Sequence, residues 1–264
     1  MKVFTTINKK INTDKTIVVV LILTLLLIGL MLNSHRWQAI PDAIEAPLSE
    51  ALPDFTSITQ VAERKQAFFD YLRPFIRQEN QRIRYDKAFL ASIESDIGKI
   101  GDHHRSPHRK LQRLAKRYRV EATNPDETIE ALKLRIDVIP ESLVLVQAAN
   151  ESAWGTSRFA KQANNLFGQW CYTKGCGLVP KSRAANAKHE VRRFDSPQAS
   201  IVSYMRNLNT HSAYRDFRII RHQLRNNGQK LTGTRLADGL EQYSERRGEY
   251  VEELKTMIRH NNLE

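Results

Sequence analysis

Residues 147–168 read Gln-Ala-Ala-Asn-Glu-Ser-Ala-Trp-Gly-Thr-Ser-Arg-Phe-Ala-Lys-Gln-Ala-Asn-Asn-Leu-Phe-Gly, and they contain a single acidic side chain, Glu151. Before them, Pro140 suits the first turn of a helix because its missing N–H needs no partner there, and Gly155 suits the left-handed conformation that ends a helix. The spacing therefore predicts a helix over about 140–154. Glu151 follows Val144 by seven positions and Ala148 by three, so its carboxyl lies on the apolar side of the last turn.

Both placements act on the pKa of the Glu151 carboxyl. Partial burial disfavours the charged form, and the negative end of the helix dipole disfavours it again, so this acid is expected to hold its proton to higher pH than a free glutamate. A general acid that protonates a leaving oxygen near neutral pH needs that property. The alternative is a glutamate at the edge of a helix that pairs with one of the many basic residues of the chain.

The motif Glu-Ser-Ala-Trp-Gly at 151–155, followed by Asn-Asn-Leu-Phe-Gly at 164–168, resembles the peptidoglycan glucosaminidases of the lysozyme-like superfamily, and among them the bacterial Bax-like proteins. The resemblance runs from about Arg64 to the C-terminus. It implies a mainly α (α+β) lysozyme-like fold with a small β-lobe, and an endo-acting enzyme that hydrolyses the β-1,4 bond after N-acetylglucosamine in peptidoglycan. It also implies that Glu151 is the catalytic acid. No cofactor or metal is expected.

A second catalytic group is expected in the β-lobe, because related enzymes place a second acid there. Glu190 is the first candidate and Asp195 the second. Glycosidases normally use two carboxyls, and here only Glu151 is supported by its setting. The alternative is that Glu190 and Asp195 are both surface charges.

Tyr243 is a further catalytic candidate. Its surroundings, Gln-Tyr-Ser followed by Tyr250, resemble a Gly-Tyr-Ala-Thr-x-x-x-Tyr motif whose first tyrosine helps hold the sugar near the acid. This chain departs from that motif, because Gln242 replaces the glycine and Tyr250 comes one position late. A half-buried tyrosine of the core is the alternative.

Four residues are expected to bind the sugar. Trp154 and Phe167 are aromatic enough to stack on a sugar ring, although both suit a core position equally well. Asn165 suits either a sugar contact or the fixing of the loop that follows the catalytic helix. Tyr250 is the fourth residue expected to bind the sugar.

The N-terminal region predicts a membrane anchor. No ionisable side chain occurs between Lys15 and His35, and 17–32 is an almost unbroken apolar run, long enough with its flanks to cross a bilayer. Four lysines precede the run and only Arg36 follows closely, which places the N-terminus in the cytoplasm and the rest of the chain in the periplasm. A cleaved signal peptide is the alternative, but residues 30–36 offer no small-x-small site.

Two cysteines occur in the chain, Cys171 and Cys176. Outside the cytoplasm their thiols can oxidise, and the short loop with Gly175 can bring them together, so a disulfide is predicted. A zinc site is the alternative, but two thiolates need two more ligands and the adjacent sequence has no histidine at a suitable distance.

Four segments follow from these patterns: a tail and anchor at 1–36, a proline-containing linker at 37–63, a helical extension at 64–134 and a catalytic domain at 135–264. In the extension, one amphipathic helix begins at Arg64 with a kink at Pro74, and a second helix covers about 80–97. A third covers about 108–119. Asn-Pro-Asp-Glu at 124–127 and Ser196-Pro197 predict two further helix starts.

The formal net charge of +12 indicates attraction to a polyanion. Peptidoglycan glycan strands are the expected partner, and the basic outer face of the helix at 108–119 suits an anionic lipid or polymer. The alternative for that face is ordinary solvation. The predicted topology disfavours nucleic acid, because the domain lies outside the cytoplasm.

Two rival functions remain open at this point. A lytic transglycosylase uses one acid and needs no second carboxylate, although such enzymes usually continue with a Gly-Leu-Met-Gln-like motif where this chain has Asn-Leu-Phe-Gly. A non-catalytic wall-binding or scaffold protein would keep the groove and lose nothing on replacement of Glu151.

Overall fold

A computed structural model describes Thr24 and residues 51–94, 105–122, 124–181, 183 and 187–264. The described residues from 51 onward belong to one compact unit. Within the described ranges, no helix is long and apolar enough to span a membrane. The predicted anchor at 17–32 lies outside the described residues apart from Thr24. Residues 37–50 of the predicted linker also lie outside them.

The described chain is mainly helical with one small sheet, which confirms the predicted mixture of helices and a β-lobe. The likeness to lysozyme stays a prediction. The α-helices are α1 (Val61–Glu94), α2 (Arg105–Arg117), α3 (Pro125–Arg135), α4 (Glu141–Ser152), α5 (Arg158–Ala163), α6 (Pro197–Thr210), α7 (Arg215–Asn226), α8 (Gly233–Leu236) and α9 (Gly248–His260). The strands are β1 (Trp170–Cys171), β2 (Gly177–Leu178) and β3 (Glu190–Arg192). Short 3-10 helices cover Phe55–Ser57, Ser212–Tyr214 and Ala237–Tyr243.

Helix α1 is one continuous helix that passes through Pro74. The prediction of two separate helices in this region is therefore wrong. A proline removes one backbone hydrogen bond, but the buried face of α1 continues on both sides of it, from Phe68 and Leu72 through Ile76 to Ile83. Packing of that face against the core outweighs the local disruption.

The predicted helix starts at 124–127 and at Ser196 are confirmed. The Asn124 side chain accepts a hydrogen bond from the Glu127 N–H at 2.9 Å, and Pro125 occupies the first turn of α3. The Ser196 hydroxyl accepts from the Ala199 N–H at 3.1 Å, and Pro197 opens α6. Each cap satisfies a backbone donor that the first helical turn leaves free.

Helix α4 lies at the centre of the compact unit and packs against α1, α8 and α9. Every residue from Ser142 to Ala149 is buried. A helix surrounded on all sides is apolar all round, which explains why residues 143–146 read Leu-Val-Leu-Val without a polar face.

The segment that leads into α4 is held by buried polar contacts. Asn80 of α1 donates to the Ile139 carbonyl at 2.8 Å and accepts from the Ile139 N–H at 3.0 Å. Asp137 accepts from Lys87 at 2.6 Å and from Arg225 at 3.0 Å, and these cations hold the pKa of its carboxyl to about 2 against the opposing effect of burial. These bonds fix where α4 begins and so where its last turn lies.

The sheet has the strand order β1-β3-β2, with both pairs antiparallel. Cys171 is opposite Glu190 in the first pair, and Gly177 is opposite Arg192 in the second. The predicted short hairpin is thus a three-stranded sheet, because β3 returns between the two strands that flank the cysteine loop. This is the small β-lobe.

Candidate active site

The last turn of α4 ends in an unusual backbone turn. The helix stops at Ser152, two residues before the predicted end, because Ala153, Trp154 and Gly155 have φ of 50°, 59° and 75°. The Ser152 hydroxyl donates to the Ala148 carbonyl at 2.6 Å and accepts from the Gly155 N–H at 2.8 Å, so it stabilises this turn. Two consecutive non-glycine residues in the left-handed region cost energy, which buried packing must offset.

Glycine is required at position 155. A Cβ there would lie 2.7 Å from Cδ2 of Phe55, against which the turn packs. The serine and glycine of the Glu-Ser-Ala-Trp-Gly motif therefore shape the turn that follows Glu151.

Glu151 is partly buried in that last turn, as the spacing predicted. Burial raises the pKa of its carboxyl above the usual value, while the hydrogen bond from Tyr250 and the charge of Arg246 oppose the rise. The Tyr250 hydroxyl donates to Oε1 of Glu151 at 2.9 Å. The predicted alternative, a direct ion pair with a basic residue, does not occur for Glu151 among the described residues.

A buried hydrogen-bond chain leads to this contact. Gln147 lies one helical turn before Glu151 and is fully buried. Its Nε2 donates to the Tyr250 hydroxyl oxygen at 3.0 Å, and its Oε1 accepts from the Tyr204 hydroxyl. Since an amide NH₂ can only donate, the hydroxyl hydrogen of Tyr250 is left for Glu151.

The direction of this chain assigns different roles to the two oxygens of Glu151. Oε1 accepts from Tyr250, so the proton of the neutral carboxyl belongs on Oε2. That oxygen faces Gly168, where an added Cβ would lie 3.8 Å away and where φ is 64°. Glycine at 168 therefore keeps the space in front of the acidic proton open.

Aromatic rings surround the acid. Tyr243 stacks on Tyr250 with ring centroids 5.5 Å apart and planes 5° apart. The Tyr243 hydroxyl donates to the Phe167 carbonyl at 3.0 Å and not to Glu151. Burial raises the pKa of Tyr243 well above its usual value, and in Tyr214 burial and the Glu151 charge raise it to about 12. These phenols stay protonated and can serve as neutral hydrogen-bond donors.

The turn at 164–168 depends on Asn165, which is buried. Its side chain donates to the carbonyls of Gln169 at 2.9 Å and Arg192 at 2.8 Å, and its oxygen accepts from the Gln169 N–H at 3.0 Å. Asn165 thus joins the turn at 164–168, which we call the catalytic-helix turn because it follows α4 and α5 toward the sheet, to β3. Its predicted contact with sugar stays a prediction.

The other predicted sugar contacts differ in their surroundings. Phe167 is buried and stacks on Tyr204 at 3.9 Å between centroids, beside the tyrosines that surround Glu151. Trp154 turns toward α1, where it lies 5.1 Å from Phe69, and Lys65 lies over its ring at 4.9 Å. Stacking of either ring on sugar remains a prediction.

Glu190 is buried in the sheet. Its Oε1 accepts from the Gly175 N–H at 2.9 Å and its Oε2 from the Gly177 N–H at 2.8 Å, and these two bonds lower the pKa of the carboxyl. No hydrogen bond or ion pair of the described residues joins Glu190 to Glu151. The carboxylate thus holds the cysteine loop, and its predicted catalytic role is untested, as is that of the exposed Asp195.

The disulfide between Cys171 and Cys176 is confirmed. Their Cα atoms are 6.2 Å apart, and the pair closes the same loop that Glu190 holds. Among the described residues, Cys171, Cys176 and Glu190 form a cluster whose possible metal-ligand atoms lie within 4.8 Å of one another. The sulfur atoms are bonded to each other, however, so they are not thiolate ligands.

We expect reduction of this disulfide, or Cys171→Ser with Cys176→Ser, to lower activity several-fold while shifting the melting temperature by only a few degrees. The closed loop is short, so the chain-entropy model gives about 2–3 kcal/mol at most. The loop continues from Gly168, so its loosening misaligns the wall beside Glu151. Thiol counting before and after reduction, with turnover and melting curves, measures both effects; two free thiols in the unreduced protein would contradict the prediction.

Sequence reasoning did not identify Gln147 and Tyr204 as site residues. The spacing of Tyr204 with Ile201 and Leu208 indicates an ordinary apolar stripe, and the motif at 151–155 does not include Gln147. A signal was present for Gln147: it is a polar residue four positions before Glu151, hence on the same face of a helix that is otherwise apolar. A buried amide requires partners, which indicates a polar network.

Comparisons with known proteins identify a family and a relative of this chain. The family described as "Glucosaminidase: Mannosyl-glycoprotein endo-beta-N-acetylglucosaminidase" matches residues 126–263. The chain is also 35% identical over 218 residues to "Protein bax" of Escherichia coli (strain K12), which covers 81% of this chain and 75% of that protein. No solved structure gives a significant match.

Proposed function

This chain belongs to the glucosaminidase family, and from that premise we propose that it is a peptidoglycan hydrolase that cleaves the β-1,4 bond after N-acetylglucosamine with Glu151 as general acid. The observation that carries the proposal is the setting of Glu151: a partly buried carboxyl with a raised pKa, at the end of a rigid helix, surrounded by neutral phenols.

The geometry suits proton donation from Oε2 of Glu151. With Oε1 held by Tyr250, the proton on Oε2 faces the space beside Gly168, where a glycosidic oxygen would lie. General acid catalysis requires the carboxyl to be protonated at the working pH, which burial favours. As pH rises through the pKa of Glu151, the acid form is lost and the rate falls.

Glu190 and Tyr243 are the two candidates for the second catalytic group. The lowered pKa of Glu190 keeps that carboxylate charged at neutral pH, which suits a base or a charge-stabilising group and not a proton donor. Both of its oxygens already accept backbone hydrogen bonds, so such a role requires the loop to rearrange when substrate binds. The neutral Tyr243 is the other candidate, as a donor to the sugar or to a positioned water.

A lytic transglycosylase is the second candidate function. It is favoured by one observation: the described hydrogen-bond partner of the Glu151 side chain is the phenol of Tyr250, and the nearby carboxylate of Glu253 is paired with Arg246. A transglycosylase needs one acid only, because the sugar supplies its own hydroxyl in place of water.

Mass spectrometry of the fragments released from peptidoglycan by the purified full-length chain tests these functions. Reducing N-acetylglucosamine ends are expected and support hydrolysis. Anhydro-muramyl ends would assign the chain to the transglycosylases. No released fragment, together with retained binding to peptidoglycan, would favour a non-catalytic wall-binding protein.

We also propose that the domain acts in the periplasm, anchored in the inner membrane by 17–32. The apolar run and the charge bias around it support this placement, and so does the Cys171–Cys176 disulfide, which needs an oxidising compartment. A reporter fused after Glu264 is expected to be active if it needs disulfide formation and silent if it needs the cytoplasm. The opposite pattern would reverse the assigned orientation.

A further inference from the structure

A cavity lies between the end of β3 and the first turns of α6. It has a volume of about 480 Å³, and its lining residues include Arg192, Arg193 and Arg206, with Ser196, Gln198 and Ser203 among the polar ones. The Arg193 guanidinium donates to the Gln162 carbonyl at 2.6 Å, and the Arg192 guanidinium lies over the ring of Phe194 at 5.0 Å. We call the three arginines and this cavity the arginine pocket. Guanidinium groups lining one cavity offer several planar donors to an anion.

Positive charge is concentrated around the pocket. Burial lowers the pKa of Arg206, and repulsion from four neighbouring arginines lowers it further. The four neighbours are Arg119, Arg192, Arg117 and Arg82. Crowded cations of this kind are destabilising unless an anion shares the site.

Protein carboxylates neutralise only part of this charge. Arg82 pairs with Glu79 and also meets Asp86 at 3.0 Å, and Arg117 meets the Asp86 carboxylate at 3.9 Å. Within the described chain, none of the three arginines of the pocket forms an ion pair, and neither does Arg119. Asp195 is the one carboxylate in the lining. The arginine pocket therefore keeps an excess of positive charge.

The pocket is joined to the catalytic-helix turn. The Ser203 hydroxyl donates to Oε1 of Gln169 at 2.8 Å, and the Arg192 N–H donates to the Gln169 carbonyl at 2.8 Å. Gln169 directly follows Gly168, which faces Oε2 of Glu151. A ligand in the pocket would thus lie beside the glycan whose bond is cleaved.

We propose that the arginine pocket binds the carboxylate groups of the peptide side chains carried by the glycan substrate. The inference rests on the proposed function and extends it, because it makes the enzyme selective for strands that still bear acidic peptides. The supporting features are the unneutralised arginines, the size of the cavity and its continuity with the catalytic-helix turn. A strand freed of peptides carries only the lactyl carboxylate of each muramyl residue, whereas an intact strand also carries the carboxylates of its peptides.

The test measures kcat and KM of the full-length chain on three substrates: glycan strands with intact peptides, the same strands with the peptide carboxyls amidated, and strands freed of peptides. We expect kcat/KM to be about ten-fold higher on the first substrate, mainly because KM is lower. A ten-fold change is the size expected for one charge-assisted hydrogen bond. Arg192→Gln combined with Arg206→Gln is expected to abolish this preference and leave the rate on peptide-free strands unchanged.

Matched variants separate binding from folding. Arg113→Gln removes an exposed arginine of α2 that does not line the pocket, and it is expected to keep the full preference. Arg206 is only partly exposed, so Arg192→Gln alone, at an exposed position, is the second variant if the double variant melts at a lower temperature. Equal cleavage of the three substrates by the wild type, or an equal loss on all three in the variants, would overturn the proposal.

Failure of the proposed function is distinguishable from failure of this inference. If the wild type cleaves none of the substrates, the hydrolase assignment fails. The dissociation constants for intact and amidated strands then test whether the arginine pocket binds peptide carboxylates. About ten-fold tighter binding of intact strands, lost in the arginine variants, would support it. Equal dissociation constants would overturn it.

Discussion

Glu151→Gln is expected to abolish the release of sugar fragments from peptidoglycan, with a loss of about 10²–10⁴-fold, the range typical of general acid catalysis. The substitution keeps the shape of the side chain and removes only the transferable proton. Its amide oxygen can still accept the hydrogen bond from Tyr250, so the buried chain through Gln147 stays satisfied. Turnover on purified peptidoglycan and a melting curve measure the two properties separately.

The melting temperature of the Glu151→Gln variant is expected to equal or slightly exceed that of the wild type at neutral pH. A carboxyl whose pKa is raised on folding binds its proton more tightly in the folded state, so its contribution to stability is complete below the unfolded pKa. That contribution is lost as pH rises through the folded pKa, and a neutral glutamine does not incur the loss. Glu130→Gln, at an exposed position of α3, is the matched control with full activity. More than about a tenth of wild-type activity in Glu151→Gln would exclude Glu151 as the acid.

Tyr250→Phe is expected to lower kcat/KM about ten-fold or more and to move the alkaline limb of the pH profile to higher pH. A hydrogen bond donated to a carboxylate favours its charged form, so the Tyr250 hydroxyl lowers the pKa of Glu151 against the effect of burial. Removal of the hydroxyl leaves burial unopposed by this bond, so the pKa of Glu151 rises further. The pH dependence of kcat/KM reports the pKa in the free enzyme.

Tyr243→Phe is the comparison for that experiment. Its hydroxyl bonds to the Phe167 carbonyl and not to Glu151, so activity is expected to fall without movement of the alkaline limb. A shift of the Tyr250→Phe limb to lower pH would contradict the assigned direction of the chain. It would mean that protonated Glu151 donates to Tyr250 and that the Gln147 amide has the reverse orientation.

The Tyr250→Phe variant should also melt a few degrees lower than the wild type. The Nε2 group of Gln147 loses its acceptor in a fully buried position. An unsatisfied buried donor costs about 1–3 kcal/mol, and in a domain of this size about 1 kcal/mol corresponds to roughly 2–4 °C.

Features that depend on a few neighbouring residues followed from the sequence. The caps at Asn124 and Ser196, the Cys171–Cys176 pair and the placement of Glu151 on a buried helix end are of this kind. Each depends on contacts within about one or two helical turns or one short loop, so the residue pattern contains the required information. The family followed from the same local motifs, and the match over 126–263 confirms it.

The hydrogen-bond partners of Glu151 and Glu190 could not be predicted from the sequence, because tertiary packing brings each carboxyl and its partners together. Tyr250 is 99 positions from Glu151 and Tyr204 is 57 positions from Gln147. The motif-based expectation gave Tyr243 the leading role, whereas the hydroxyl that contacts the acid belongs to Tyr250. No periodicity in one segment predicts which of two nearby tyrosines meets a distant carboxyl, since this depends on how α9 lies against α4.

Helical spacing predicted one carboxyl on the apolar side of the last turn of a buried helix, because an isolated acid among apolar residues falls on that face. Long-range packing set which side chain this carboxyl contacts, namely Tyr250 at Oε1. The same holds for the continuation of α1 through Pro74 and for the arginine pocket. These features join residues that are far apart in the chain, and the free energy of packing the whole core fixes their positions.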